Sequence, residues 1–215
     1  MGDKRRMDKG NNKIKLYTSQ SDIVLQIIEK DGVCYSKKEF VSKKYSESSN
    51  IFITEYSWFV KEAEKIVKKP EKAEYPYWAF KDLYNVDDSA GGNILTLKVP
   101  LEEAIFFDLF DWNKIICMKY IGVCEEDEKE FKENIKKLGL KETDIMLTNF
   151  NPELKMQIME SWKFLFRHHE NIKIGNINKI GRVQVVFWLI KKRMYYKMFV
   201  KIGKRVLSIE PAFLK

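Results

Sequence analysis

A chain of 215 residues that is 45% hydrophobic and 13% aromatic carries enough apolar surface for one substantial core, and that composition excludes disorder over most of its length. Its formal net charge of +8 is unevenly spread: nine basic and no acidic residues lie between 179 and 205, the first fifteen residues carry +4, and residues 16–178 are left at −5. There is no apolar run of about 18 residues such as a membrane span needs. The N-terminus MGDKRRMDKGNNK lacks a secretory apolar centre, and the three cysteines, Cys34, Cys117 and Cys124, suggest no disulfide framework, so a cytoplasmic protein with reduced thiols is expected.

Residues 1–12 read as a flexible basic arm and 13–215 as a single globular domain. KIKLYTSQ (13–20) predicts a strand. Ser21 or Asp22 then caps a helix in which Ile23, Val24, Ile27 and Ile28 recur at helical spacing until Gly32 stops it. The polar stretch 36–50 predicts a loop. From Thr54 to Lys69, Trp58, Phe59, Ala63, Ile66 and Val67 share a helical face that Pro70 closes. YPYWAF (75–80) is extended because the residue before Pro76 is pushed out of the helical region.

A loop at 86–93 leads into ILTLKVP, where Leu95, Leu97 and Val99 alternate with Thr96 and Lys98 as in a half-buried strand. AIFFD (104–108) predicts another strand and WNKIICMKYI (112–121) a short helix. CEEDEKEFKENIKKLG has acids at its start, lysines at its end and Gly139 as terminator, which makes it the clearest helix of the chain. NPELKMQIMESWKFLFRHH follows as a helix capped by Asn151, with Pro152 at its first position.

The segment 183–190 predicts a strand buried on both faces, with Val183, Val185, Phe187 and Leu189 on one side and Val186, Trp188 and Ile190 on the other. Gln184 is the single polar side chain in that run, so it needs a hydrogen-bond partner or a ligand. Beyond Lys191, Met194, Met198 and Ile202 fit a helix, while Tyr196, Met198 and Val200 fit a strand. Strands and helices interspersed in this way predict an α+β fold, a central sheet with a buried C-terminal strand flanked by helices.

The chain contains no GxxxxGK[ST] phosphate loop, no GxGxxG, no GxSxG elbow and no HExxH. His168 and His169 are adjacent at a helix end and point about 100° apart, a poor chelating pair, and no metal site is expected. Cys117 and Cys124 read as small buried hydrophobes, and the acids from Glu125 to Glu130 as a solvated helix start. Asp108 and Asp111 in DLFDWN follow an apolar strand, where carboxylates serve acid/base work, ligand hydrogen bonds or helix capping equally well. Of the five tryptophans, Trp78 in the Pro-stiffened YPYWAF is the one suited to a pocket wall.

KLYTSQ, YPYWAF, LTLKVPLEEAIFFDLFDWN, SWKFLF and IGRVQVVFWLIKK, in this order, resemble a bacterial family catalogued only as a domain of unknown function. Members of that family often carry His after the Trp of the DxxxW segment, where this chain has Asn113. A more distant similarity links the chain to ADP-ribosyltransferase-like proteins, through the LY-containing first strand, the helix ending at Gly and the late strand around Gln184. That resemblance implies an ADP-ribosyltransferase-like fold and NAD as cofactor, with Tyr17, Gln20 and Gln184 near the nicotinamide nucleotide. The glutamate such enzymes use to stabilise positive charge on the ribose is replaced by Val186.

Three functions therefore stand side by side. The first is a basic face for a polyanion, nucleic acid or nucleotide, made by Lys191, Lys192, Arg193, Lys197, Lys201, Lys204 and Arg205, with Tyr195, Tyr196 and Phe199 as stacking rings. The second is an NAD-dependent enzyme whose candidate pocket is Tyr17, Gln20, Trp78, Asp108, Trp112 and Gln184. The third is a non-catalytic module that meets an acidic protein partner. Convergence of Trp78, Asp108, Trp112 and Gln184 on one cleft favours the second.

Overall fold

A computed structural model describes residues 12–38, 53–87, 92–178, 180–202 and 205–209, with the backbone alone from 196 onward. The expected basic arm up to residue 11, most of the 36–50 loop, the centre of the 86–93 loop, Lys179 and Lys204 lie outside the described residues. So do the side chains of Tyr196, Lys197, Phe199, Lys201 and Arg205.

The first strand, β1 (Lys13–Gln20), leads into α1 (Asp22–Asp31), which stops where expected: Gly32 adopts φ 76° and its N–H donates to the Ile28 carbonyl. Then come β2 (Val33–Tyr35), α2 (Ile53–Ile66), β3 (Tyr77–Phe80), β4 (Asn93–Pro100), β5 (Ile105–Asp108) and α3 (Leu109–Ile116). The chain continues through α4 (Glu125–Lys137), α5 (Glu142–Leu147), α6 (Pro152–Ser161) and α7 (His169–Lys173). It closes with β6 (Val183–Phe187), β7 (Leu189–Lys191), β8 (Tyr195–Ile202) and β9 (Arg205–Ile209). Residues 195–202, which fit either period, are thus a strand.

Seven strands form one antiparallel sheet in the order β5-β6-β3-β1-β4-β8-β9, and β2 pairs with β7 in a second, two-stranded sheet. Helices and two buried clusters cover the large sheet, which is the expected α+β architecture. One cluster gathers Phe59, Phe107, Trp112, Trp162, Val186 and Trp188 under α2, α3 and α6. The other gathers Leu16, Ile28, Leu97, Phe106, Val185 and Phe187. Val185 and Val186 belong to different clusters, so β6 is buried on both faces, as its unbroken apolar run requires.

Four expectations need correction. The run 183–190 is two strands, because the chain leaves the large sheet at Trp188, whose indole N–H donates to the Val67 carbonyl at 2.7 Å, and joins the small one. The helix expected through 151–169 ends at Ser161, continues as a 3-10 segment over Trp162–Phe166 and restarts at His169. His169 is consequently no helix-end cation: it is buried, and its Nδ1 accepts the Phe106 N–H at 3.1 Å. Cys117 and Cys124 are exposed where they flank α3 and α4, and only Cys34 is a buried thiol among the three. Among the described residues no helix is long and apolar enough to cross a membrane, and no three His, Cys, Asp or Glu side chains gather as metal ligands.

Candidate functional site

The site arises from an interruption in sheet pairing. β1 and β3 meet at a single register pair, Tyr17 with Phe80. Beyond it the Thr18 hydroxyl donates to the Trp78 carbonyl at 2.7 Å and accepts the Gln20 amide N–H at 2.7 Å. A side-chain hydroxyl thus satisfies a backbone carbonyl that a fully paired strand would have bonded itself. The gap beside it is a cleft of about 210 Å³, lined by Thr18, Gln20, Ser36, Tyr56, Trp78, Asp87, Trp112 and Gln184 among others.

Five aromatic residues line the cleft, and three of them, Tyr56, Trp78 and Trp112, pack against one another. Tyr56 lies 5.7 Å from Trp78 and 5.5 Å from Trp112, and the two indoles are 4.9 Å apart. Phe59 backs both indoles at 5.1 Å. Ring centroids at these separations lie in the range of favourable edge-to-face and tilted contacts, so these rings pack as one continuous wall.

Two polar atoms in this wall lack a partner: the Trp78 indole N–H and the Gln184 side-chain oxygen, both shielded from solvent. A buried polar atom left unpaired costs about 1–3 kcal/mol, and such atoms are few in folded chains. Trp78 and Gln184 occupy neighbouring strands and the same face, because Phe80 pairs with Gln184 and Trp78 with Val186. One donor and one acceptor therefore stand diagonally beside each other, about 7–8 Å apart at their Cα atoms.

Of the six residues expected in a pocket, the structure brings Gln20, Trp78, Trp112 and Gln184 to this cleft and leaves Tyr17 and Asp108 out. Tyr17 is half-buried on β1 with the Lys15 ammonium 5.2 Å from its ring centre. Asp108 caps α3: its carboxylate accepts the N–H groups of Phe110 at 3.0 Å, Gly181 at 2.8 Å and Arg182 at 3.3 Å. Its acceptor capacity is largely spent on backbone. Asp111 is likewise engaged, by Arg167 at 2.9 Å and Lys114 at 3.4 Å.

Thr18, Tyr56 and Glu55 escaped the sequence reading. Tyr56 lines the cleft, and Glu55 beside it is fully buried with neither carboxylate oxygen partnered. Burial pushes its carboxyl above the ordinary glutamate range. The signal was present: Glu55, Phe59 and Ala63 recur every four residues on the helix's apolar stripe, and an acid in that stripe is an anomaly. Burial also raises the Cys34 thiol, which accepts the Tyr77 hydroxyl at 3.1 Å.

In the expected basic face, Lys191 pairs with Glu103 at 2.6 Å and Lys192 with Glu29 at 3.2 Å, while Arg193 is exposed. The backbones of residues 197, 201 and 205 lie in β8 and β9.

The family model described as "Domain of unknown function (DUF3841)" matches residues 15–195. No curated protein and no solved structure matches the chain.

Proposed function

We propose that this chain, which belongs to the domain-of-unknown-function family DUF3841, holds the nicotinamide end of NAD in the cleft between β1 and β3, as an ADP-ribosyltransferase-like protein would. The observation that carries this reading is the unpartnered pair in the aromatic wall, the Trp78 indole N–H and the Gln184 oxygen. A ring carboxamide offers the complementary acceptor and donor, and its flat face suits the Tyr56, Trp78 and Trp112 rings. A cleft of about 210 Å³ is smaller than the ~300–1,000 Å³ of pockets that enclose drug-sized ligands, so it takes one heterocycle and leaves the rest of a dinucleotide outside. Gln20 and Thr18, already joined by a hydrogen bond, add polar groups at its side.

Transfer chemistry at the ribose calls for a group that stabilises developing positive charge, and β6 offers Gln184 and Val186 in that position rather than a carboxylate. The reading is therefore one of ligand recognition first. A polyanion on the basic segment is the competing reading, and the engagement of Lys191 and Lys192 by carboxylates takes two of its seven cations.

Thermal unfolding with and without NAD tests the proposal. Ligand at a hundred times its Kd stabilises by about 2.7 kcal/mol, a rise of about 5–11 °C for a chain of this size. Gln184→Ala abolishes most of that rise. A melting temperature unmoved by NAD, nicotinamide or AMP would overturn the reading.

A further inference from the structure

Both basic ends of the sequence are brought to one half of the large sheet. β4 lies between β1 and β8, and Thr96 near its centre is the register partner of Tyr17 on one side and of Lys197 on the other. The four strands β1, β4, β8 and β9 hold six basic residues, Lys13, Lys15, Lys98, Lys197, Lys201 and Arg205, and no acidic one. The three strands β5, β6 and β3 hold no basic residue and a single acid, Asp108. The positive charge is thus concentrated on adjacent strands, where its field adds up.

The pairing of β1 with β4 fixes where their lysines stand. Leu16 and its register partner Leu97 are fully buried, as is Val99, and successive residues of a strand point to opposite faces. Lys15 and its register partner Lys98 therefore share the other face, and both are exposed, as is Lys13 two residues along. Ammonium groups in directly opposed register repel one another, so this pair works against the fold. Among the described residues neither Lys13 nor Lys15 forms an ion pair, and the Lys15 ammonium instead lies 5.2 Å from the ring centre of Tyr17, on the same face. The Lys13 and Lys15 positions are about 6.6–6.8 Å apart along β1, and β4 is about 4.8 Å across, so a row of cations stands beside an aromatic ring.

We propose that this sheet face binds single-stranded nucleic acid, with Lys13, Lys15 and Lys98 against its phosphates and the half-buried Tyr17 ring against a base. A strand of phosphates is the occupant whose charge complements the face, and it relieves the repulsion between Lys15 and Lys98. A single strand also offers unstacked bases to a ring, whereas a duplex keeps its bases stacked inside. An exposed contact between an ammonium and a ring is weaker than a base stacked on that ring, so the base displaces Lys15 from Tyr17 and frees it for phosphate. None of these four residues lines the cleft, and the proposal stands independently of the nicotinamide reading.

The test is fluorescence anisotropy of a labelled oligo(dT) of about 12 nucleotides, and of a duplex of the same length, titrated with the full chain at about 50 and about 200 mM salt. Wild type is expected to bind the single strand more tightly than the duplex, and less tightly at the higher salt. The double variant Lys15→Ala/Lys98→Ala is expected to bind at least about tenfold more weakly and to flatten the log–log salt dependence by about 1.4, at about 0.7 per phosphate contact. It should melt no lower than wild type, because a like-charge pair is removed. Tyr17→Ala is expected to weaken binding about fivefold or more, and Tyr17→Phe to retain it. Absence of single-strand binding to wild type at the lower salt, or a duplex bound as tightly, would overturn the proposal whatever the variants do. A double variant that binds like wild type would overturn it as well and return the contact to the C-terminal basic segment. Tyr17→Ala binding like wild type would overturn the stacking contact and with it the preference for a single strand.

Discussion

Replacing Asp108 by Ala separates a capping role from a ligand role at the one acidic residue that the sequence placed in the pocket and the structure did not. The side chain is 9% exposed and accepts three backbone N–H groups, from Phe110, Gly181 and Arg182. Two of these lie more than seventy residues away in sequence, so the carboxylate ties the entry to β6 onto the start of α3. Charge-assisted hydrogen bonds contribute about 1.5–3 kcal/mol each, yet such losses do not sum when one group makes all of them. Loss of a cap alone costs about 0.5–2 kcal/mol. A total of about 2 kcal/mol follows, the upper end for a lost cap, since Gly181 and Arg182 are exposed and water takes over part of what their N–H groups lose. For a chain of this length that is a fall of about 4–8 °C in melting temperature. Thermal and urea unfolding followed by tryptophan fluorescence measure it, with NAD titration at low temperature as the second readout. A variant melting within 1–2 °C of wild type would refute the energetic reasoning. One that keeps wild-type stability but loses the ligand would show that Asp108 belongs to the site after all.

Two further outcomes concern the scaffold. Burial lowers the pKa of His169 below its ordinary 6.5, and its neutral Nδ1 accepts the Phe106 N–H. A depressed pKa means that the unfolded chain binds the proton first, so this contribution is complete above 6.5 and is lost as pH falls through the folded value. The urea midpoint of wild type should drop over that window, and His169→Asn should flatten that part of the drop. A profile identical in the two proteins would contradict the assignment. Arg167→Ala leaves the buried Asp111 with only Lys114 and strips the Gly122 carbonyl of its donor. With the arginine about a quarter exposed, the expected cost is about 1–3 kcal/mol by denaturant unfolding.

Much of the framework was legible because its signals are local. Gly32, Gly139 and Pro152 punctuate helices through backbone conformation, and the structure places all three at helix ends. Gln184 stood out as the polar residue of an apolar strand, and Trp78 as an indole in a stiffened segment, and both reach the cleft. What could not be read depends on contacts distant in sequence. Nothing near Thr18 announces that its hydroxyl will bond the carbonyl of Trp78, sixty residues on. Asp108 was ambiguous for a related reason, since its choice between cap and ligand is made by Gly181 and Arg182. Trp188 fits its strand by period, and only the competing pull of Val67 and β2 shows why the run divides there. Glu55 is different: its place on the stripe with Phe59 and Ala63 is set by local helical spacing alone, and an acid there is the anomaly.

The single pair joining β1 to β3 makes the large sheet two plates rather than one. Strands β5, β6 and β3 form one plate and β1, β4, β8 and β9 the other, each laced internally by several register pairs. Between them run one register pair and the hydroxyl of Thr18. A seam held by so few bonds is where a sheet parts at the lowest free energy. Anything lodged in it touches both plates at once and makes one mechanical body of them.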